Sequence, residues 1–413
     1  MNQVKKELVP KLRFPEFKKD GEWSQELGSA LFDSISNKKH KSDLPILAIT
    51  QEHGAIPRDK IDYRVSVTEK SIESYKVVEV GDFIISLRSF QGGIEYSTYK
   101  GLCSPAYIIL RGKRNDRKDF FRYYFKTSGF IEDLNHDIEG IRDGKMVSYE
   151  QFSKIIIPLP KSKIEQQKIA DCLSSLDELI EAQDKKLEAL QRHKKGLMQE
   201  LFPVNGETLT KLRFKEFEKD GEWEEIILSD VLTEHKLKND GKSKVHSVSV
   251  HKGIIDQIEH LGRSFASSDT SKYNLVKPFD IVYTKSPTGD FPFGIIKQSR
   301  LDYNVIVSPL YGVFSPKNKY LGYILNCYFE SPIRTKNYLD PITQKGAKNT
   351  IQISNDTFIS RGLYLPEDEI EQQKIADCLS SIDNLITNQT KKLESLRLHK
   401  KGLMQQLFPI ISE

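Results

Sequence analysis

The chain is written twice, and that duplication constrains its fold more than any single motif. Lys11 to Trp23 (KLRFPEFKKDGEW) returns as Lys211 to Trp223 (KLRFKEFEKDGEW), with 11 of 13 residues identical. A second block, Ile164 to Pro203, returns at Ile370 to Pro409 with 31 of 40 residues identical. The segments between the repeats, 24–163 and 224–369, are similar in length but share only scattered positions. A repeated scaffold carrying two different inserts presents two different surfaces at a fixed separation. The boundaries read as an entry segment 1–23, a first insert 24–163, a first long helix 164–203, a linker and second entry segment 204–223, a second insert 224–369 and a second long helix 370–409.

The second repeated block has helical periodicity. Ile169, Leu173, Leu176, Ile180, Gln183, Leu187, Leu190, Lys194, Leu197 and Leu201 alternate steps of four and three, as do Ile375, Leu379, Ile382, Ile386, Gln389, Leu393, Leu396, Lys400, Leu403 and Leu407. This is an a/d seam nearly five heptads long, interrupted by one Gln and one Lys in each copy. Some 38 residues at about 1.5 Å each give a rod of roughly 57 Å. Each seam occurs once per chain, so the economical partner of each helix is the other. With the inserts at opposite ends, pseudo-twofold symmetry makes the intramolecular coiled coil antiparallel, and the polar seam residues favour one register over slipped ones.

Each insert reads as mixed α/β, so the chain is α+β overall. Strand-like runs in the first (PILAIT, YRVSV, VVEVGDFIIS, AYIILR, KIIIPLP) are followed by similar runs in the same order in the second (KVHSVSVHKGII, NLVKPFDIVYT, NVIVSPLYGVF, SRGLYLP). Asp82-Phe83-Ile84 corresponds to Asp280-Ile281-Val282, and Gly54 to Gly253, so the inserts are expected to share one fold with different loops. The basic and aromatic run from Arg111 to Lys126 keeps its apolar spacing but loses most of its charge in the second insert. That pattern predicts an amphipathic helix packed on a sheet rather than a DNA patch.

Three matched polar loops hold the candidate nucleic-acid contacts. In the first insert they are Lys38, Lys39 and Lys41; then Arg88, Gln91 and Lys100; then Arg142 and Lys145. In the second they are Lys236, Lys238 and Lys242; then Lys285, Thr288, Lys297 and Arg300; then Lys345, Lys348 and Asn349. Arg, Lys, Asn and Gln can pair with guanine or adenine edges in the major groove, and neighbouring lysines can hold phosphates. A net charge of +4 permits such binding without arguing for it.

Composition excludes several classes. No run approaches the 18 or more apolar residues of a membrane span, and the Lys-rich start lacks the apolar core of a signal peptide, so a cytoplasmic location is expected. The four cysteines have no metal or disulfide spacing, and no metal site is expected. Gly241-Lys242-Ser243 has Lys236 where a phosphate loop needs its first glycine, no HExxH occurs, and no nucleophile or nuclease set stands out. No catalytic residue is therefore assigned.

The EQQKIA helix starts after PLP and YLP, the KKGLMQ-LFP helix ends and the LRFPEF entry together resemble the specificity subunit of type I restriction–modification systems, over nearly the whole chain. The resemblance implies two target-recognition domains, each reading one half of a bipartite DNA sequence. It implies that the paired helices set the half-site gap and dock methyltransferase (modification) subunits, expected to be two, with two restriction/translocase subunits completing the enzyme. S-adenosylmethionine, ATP and magnesium would then belong to those partners, with no cofactor on this chain. A structural adaptor whose inserts bind proteins, or a self-sufficient nuclease or methyltransferase, are the competing readings.

Overall fold

A computed structural model describes residues 8–41, 43–61, 72–113, 118–136, 147–204, 207–263, 266–345 and 351–410. The chain divides into two compact units: Met1–Lys185 with Lys391–Glu413, and Lys186–Thr390. Both long helices, Lys163–Leu201 and Glu369–Leu407, are divided near their middles between the two units.

In the first unit β1 (Ser24–Leu27) pairs antiparallel with β10 (Ile156–Leu159). Between them a four-stranded antiparallel sheet runs in the order β2 (Phe32–Ile35), β9 (Ile108–Gly112), β6 (Phe83–Ile85) and β7 (Glu95–Tyr96). Two satellite pairs flank it: β3 (Leu47–Thr50) with β4 (Gly54–Pro57), and β5 (Lys76–Val78) with β8 (Gly101–Cys103). The short helices are α1 (Gly28–Leu31), α2 (Ser89–Gly92), α3 (Lys118–Tyr124), α4 (Ser128–His136) and α5 (Tyr149–Lys154). The long helix α6 (Lys163–Leu201) follows.

The second unit repeats that topology strand for strand. Here β11 (Glu224–Ile227) pairs with β22 (Gly362–Leu365), and the main sheet runs β12 (Leu232–Glu234), β19 (Gly312–Pro316), β16 (Ile281–Tyr283), β17 (Ile296–Gln298). The satellites are β13 (His246–Ser249) with β14 (Gly253–Asp256), and β15 (Asn274–Val276) with β18 (Val305–Val307). A further pair, β20 (Gln344–Lys345) with β21 (Ile351–Gln352), has no counterpart among the described residues. The helices are α7 (Leu228–Val231), α8 (Gln257–Leu261), α9 (Lys319–Phe329), α10 (Pro332–Leu339), α11 (Asn355–Ile359) and the long α12 (Glu369–Leu407).

The basic and aromatic run of the first insert folds as its spacing predicts. Phe120, Phe121, Tyr123, Tyr124 and Phe125 are all buried against the sheet. In its charged lead-in, Arg111 pairs with Asp82 and Lys113 with Asp33, while residues 114–117 lie outside the described residues. Asp82 and Asp280 explain why their tripeptide survives in both inserts. Each carboxylate accepts the backbone N–H three residues earlier, from Glu79 at 2.8 Å and Lys277 at 2.7 Å, and so closes the turn entering β6 or β16.

In each unit the two long helices run antiparallel. Within the first, Asp177 meets Lys400 and Asp184 meets Arg397, so numbering rises on one helix as it falls on the other. Within the second, Asp383 pairs with Lys194 at 2.7 Å. Ile169, Leu173, Ile375, Leu379, Ile382 and Leu393 are buried, while Leu176, Ile180, Leu187, Leu190, Leu197, Ile386, Leu396 and Leu403 are half-buried. Each insert also packs on the far end of the other repeat's helix: Leu403, Met404, Leu407 and Phe408 join the first unit's core, and Leu197, Met198, Leu201 and Phe202 the second's.

The entry segments anchor this packing, a role that their sequence did not reveal. Arg13 forks onto Glu165 at 2.6 and 2.8 Å, and Trp23 Nε1 donates to the same carboxylate at 3.2 Å. Arg213, Glu371 and Trp223 repeat the arrangement at 2.8, 2.8 and 3.4 Å. The next residue of the motif completes the helix start, Gln166 donating to Pro160 O and Gln372 to Pro366 O. The EQQ motif is thus the socket into which the entry segment locks.

Candidate nucleic-acid interface

The loops singled out by sequence are held by their backbones, which leaves several side chains free to project. In the first unit the strap after β2 lies along β5: Val77 N–H donates to Asn37 O at 2.7 Å, and His40 Nε2 lies 3.1 Å from Tyr75 O. Asn37 Oδ1 accepts the Lys39 N–H, and Lys38, Lys39 and Lys41 are exposed. Sequence reasoning missed Lys76 beside them. Its Nζ donates to Tyr107 O at 2.7 Å, and burial, reinforced by the nearby positive charge of Lys38, lowers its pKa.

The β6–β7 loop is pinned from below. Lys126 Nζ donates to Gly92 O at 3.0 Å and to Glu95 at 2.5 Å, and Asn135 donates to Phe90 O at 2.7 Å. Gly93 has φ +79°, and a Cβ there would stand 2.0 Å from Phe125 O, so only glycine lets the loop lie this close. Above that base Arg88 and Gln91 are exposed. Lys100 is exposed too and pairs with Glu79 at 3.0 Å, a surface contact worth about 0–1 kcal/mol that a phosphate could displace.

In the second unit the loop after β12 is ordered by Asp240, which accepts the N–H groups of Lys242 and Ser243 at 3.0 and 2.8 Å. Lys236 and Lys242 are exposed, while Lys238 donates to Asn274 Oδ1 at 2.6 Å. Thr288 sits at the exposed tip of the β16–β17 loop, where it and Phe291 exchange backbone hydrogen bonds of 3.0 Å, and Lys285 is half-buried at the loop's foot.

Two candidates are engaged in ion pairs within the unit, Lys297 buried and Arg300 exposed. Lys297 is 7% exposed and faces Glu330 at 3.6 Å; burial lowers its pKa. Register explains the misreading. Ile84 pairs with Glu95 and Val282 with Lys297, so Glu95–Lys126 in one unit and Lys297–Glu330 in the other are the same ion pair with its charges exchanged. Arg300 donates to Asp383 of α12 at 2.6 Å and lies over the Tyr323 ring at 4.8 Å. It ties the insert to the helix. Arg142, Lys145, Lys348 and Asn349 lie outside the described residues, as does the side chain of Lys345 on β20.

Other features are structural. The four cysteines are free, Cys103 and Cys327 buried, Cys172 and Cys378 half-buried. Burial pushes the Cys103 and Cys327 thiols up to about 12, which keeps them unreactive. Among the described residues no His, Cys, Asp and Glu cluster could hold a metal, and no helix is long and apolar enough to cross a membrane.

Two copies of one α+β unit, each with polar loops at matched strand ends and each packed on a pair of long helices, define a duplicated recognition scaffold. The family model for the type I restriction modification DNA specificity domain matches residues 27–192 and again 200–398, and the chain belongs to that family. It is 28% identical over 371 residues to the MjaVIII type I restriction enzyme specificity subunit of Methanocaldococcus jannaschii, covering 83% of this chain and 81% of that one. The crystal structure of the type I restriction–modification S subunit from M. genitalium aligns with a TM-score of 0.60 at 15% identity, over 98% of this chain and 100% of that one. A chain from structural work on assembly and conformational transition of the type I R-M system aligns with a TM-score of 0.50 at 13% identity, over 94% and 97% of the two chains.

Proposed function

We propose that each unit reads one half of a bipartite DNA target, while the long helices set the gap between halves and dock methyltransferase subunits. The observation that carries this is the identical strand order of the two inserts, combined with different side chains at matched loops. A common scaffold with divergent loops recognises two different sequences in one way. The exposed lysines beside the loops would hold phosphates and fix register, and Arg88, Gln91 and Thr288 would face base edges. Adenine methylation would then use S-adenosylmethionine on the docked subunits, with ATP and magnesium on restriction subunits.

Two docked copies are supported by what the repeats keep at their surface. Ile164, Asp171, Ser175 and Leu179 are exposed on one helical face, and Ile370, Asp377, Ser381 and Leu385 repeat them residue for residue, also exposed. Neighbouring positions have drifted, Glu178 to Asn384, Glu181 to Thr387 and Ala182 to Asn388. Exposed side chains kept in both copies fit one partner surface used twice.

The test is selection of DNA from a random duplex library by the chain assembled with its modification subunit. The expected result is two specified half-sites separated by an unspecified gap of fixed length. Binding without sequence preference would instead make the chain a structural adaptor.

A further inference from the structure

The β16–β17 loop contains a conformation that lysine does not choose. Lys285 adopts φ +60°, in the left-handed region that costs any residue with a Cβ and that glycine enters freely. The backbone demands it there: a Cβ on Gly294 would stand 2.7 Å from Lys285 N and 3.0 Å from its Cα, so the two strands of the loop abut at this point. Glycine at 285 would meet that demand without strain.

The foot of the loop is rigid. Thr284 N–H donates to Ile295 O at 3.1 Å, Ile295 N–H to Thr284 Oγ1 at 3.0 Å, and Tyr283 OH to Phe293 O at 2.8 Å. Phe291 and Phe293 are buried beneath it, while Ser286 to Asp290 are exposed. The Lys285 ammonium, half-buried, feels Glu234, whose carboxylate accepts from Asn355 at 2.7 Å. Among the described residues no carboxylate lies within ion-pair distance of Lys285 Nζ. Burial lowers its pKa, and Glu234 offsets this only in part. The corresponding strand end of the first unit carries Leu87, 52% exposed. Backbone strain of this kind clusters at functional sites.

We propose that Lys285 reads a base, donating to the O6 and N7 acceptors of a guanine in the half-site served by the second unit. This deepens the DNA-reading role above and rests on it. A rigid foot fixes the Cα of Lys285 and the direction in which its side chain leaves the loop, which base discrimination needs and a phosphate contact does not. The first unit, with Leu87 there, has no equivalent cation and reads its half by other groups.

The experiment compares wild type, Lys285→Gly and Lys285→Asn, each assembled with the modification subunit, on a panel of duplexes carrying every single-base change across the selected site. Both residues accept left-handed backbone. The expected result is a Tm of the free chain that does not fall, with discrimination at one position of one half-site reduced about 10-fold or more and the other half untouched. Equal weakening on all duplexes would make Lys285 a phosphate contact and overturn the proposal. So would an unchanged profile, or a Tm lower by several degrees in both variants. A wild-type assembly without sequence preference would instead remove the DNA-reading role itself, a failure distinct from the loss of Lys285 alone.

Discussion

Replacing Glu165 by alanine should destabilise the first unit strongly and locally. The Glu165 side chain is 1% exposed and that of Arg13 5%, so the guanidinium left behind would be a buried charge with the Gly21 carbonyl at 2.6 Å and the charge of Asp20 as its remaining compensation. Removing one member of such a pair costs about 3–5 kcal/mol. The orphaned Trp23 indole N–H adds about 1 kcal/mol. Replacing both partners, Arg13→Met with Glu165→Met, removes the charges together and should cost far less than the single change. The chain has only two tryptophans, Trp23 and Trp223, one in each triad, so Trp223→Phe leaves a fluorophore that reports the first unit alone. Urea unfolding followed through Trp23 gives the free energies. The same alanine change at Glu371 should cost less, because Arg213 is 14% exposed and water can solvate it. A cost below about 1 kcal/mol for Glu165→Ala, or a double variant as unstable as the single, would refute the buried-charge reasoning.

Acid should weaken the second unit through Asp383. Burial alone would raise its pKa, but Lys194, Tyr323 and Arg300 outweigh burial and hold it below the usual carboxylate range. A depressed folded pKa gives stability that is present above the unfolded value of about 4 and lost as pH falls through the folded one, so Asp383→Asn should flatten the acid limb of a stability–pH curve measured through Trp223. Phe279 is 48% exposed at φ +69°, where the first insert has Gly81 at φ +89°. Relief of left-handed strain predicts that Phe279→Gly stabilises by up to about 1 kcal/mol in urea, whereas Gly93→Ala, facing Phe125 O, should destabilise by more than about 2 kcal/mol. Nothing lies within 4 Å of a Cβ built on Gly196 or Gly402, so alanine at either should add about 1 kcal/mol. Leu179→Glu should release one of two docked methyltransferase subunits, read by native mass spectrometry; full occupancy would remove that face from the docking surface.

Much of this organisation was legible because it is periodic or repeated. The seam residues declare themselves by spacing alone, and Asp82 and Asp280 by surviving in otherwise divergent inserts. The unread parts depend on distant partners. Arg13 and Glu165 lie 152 positions apart, and no local pattern says that an entry segment locks into a helix start. Lys297 was misread because lysine beside a polar loop resembles a phosphate contact. Its meaning lies in Glu330, and in the reversed Glu95–Lys126 pair that only strand register exposes. Lys285 was legible as a basic residue, but its left-handed backbone was not, because Gly294 alone does not say which residue it abuts.

The central claim is that the two units sense duplex DNA independently, at two places. Its most direct test maps methylated bases across the genome of a strain carrying the chain and its modification partner, before and after residues 224–369 are exchanged for the matching insert of a relative. The expected result is a two-part motif in which one half changes while the other half stays as it was. A single contiguous motif, or a change in both halves, would contradict it.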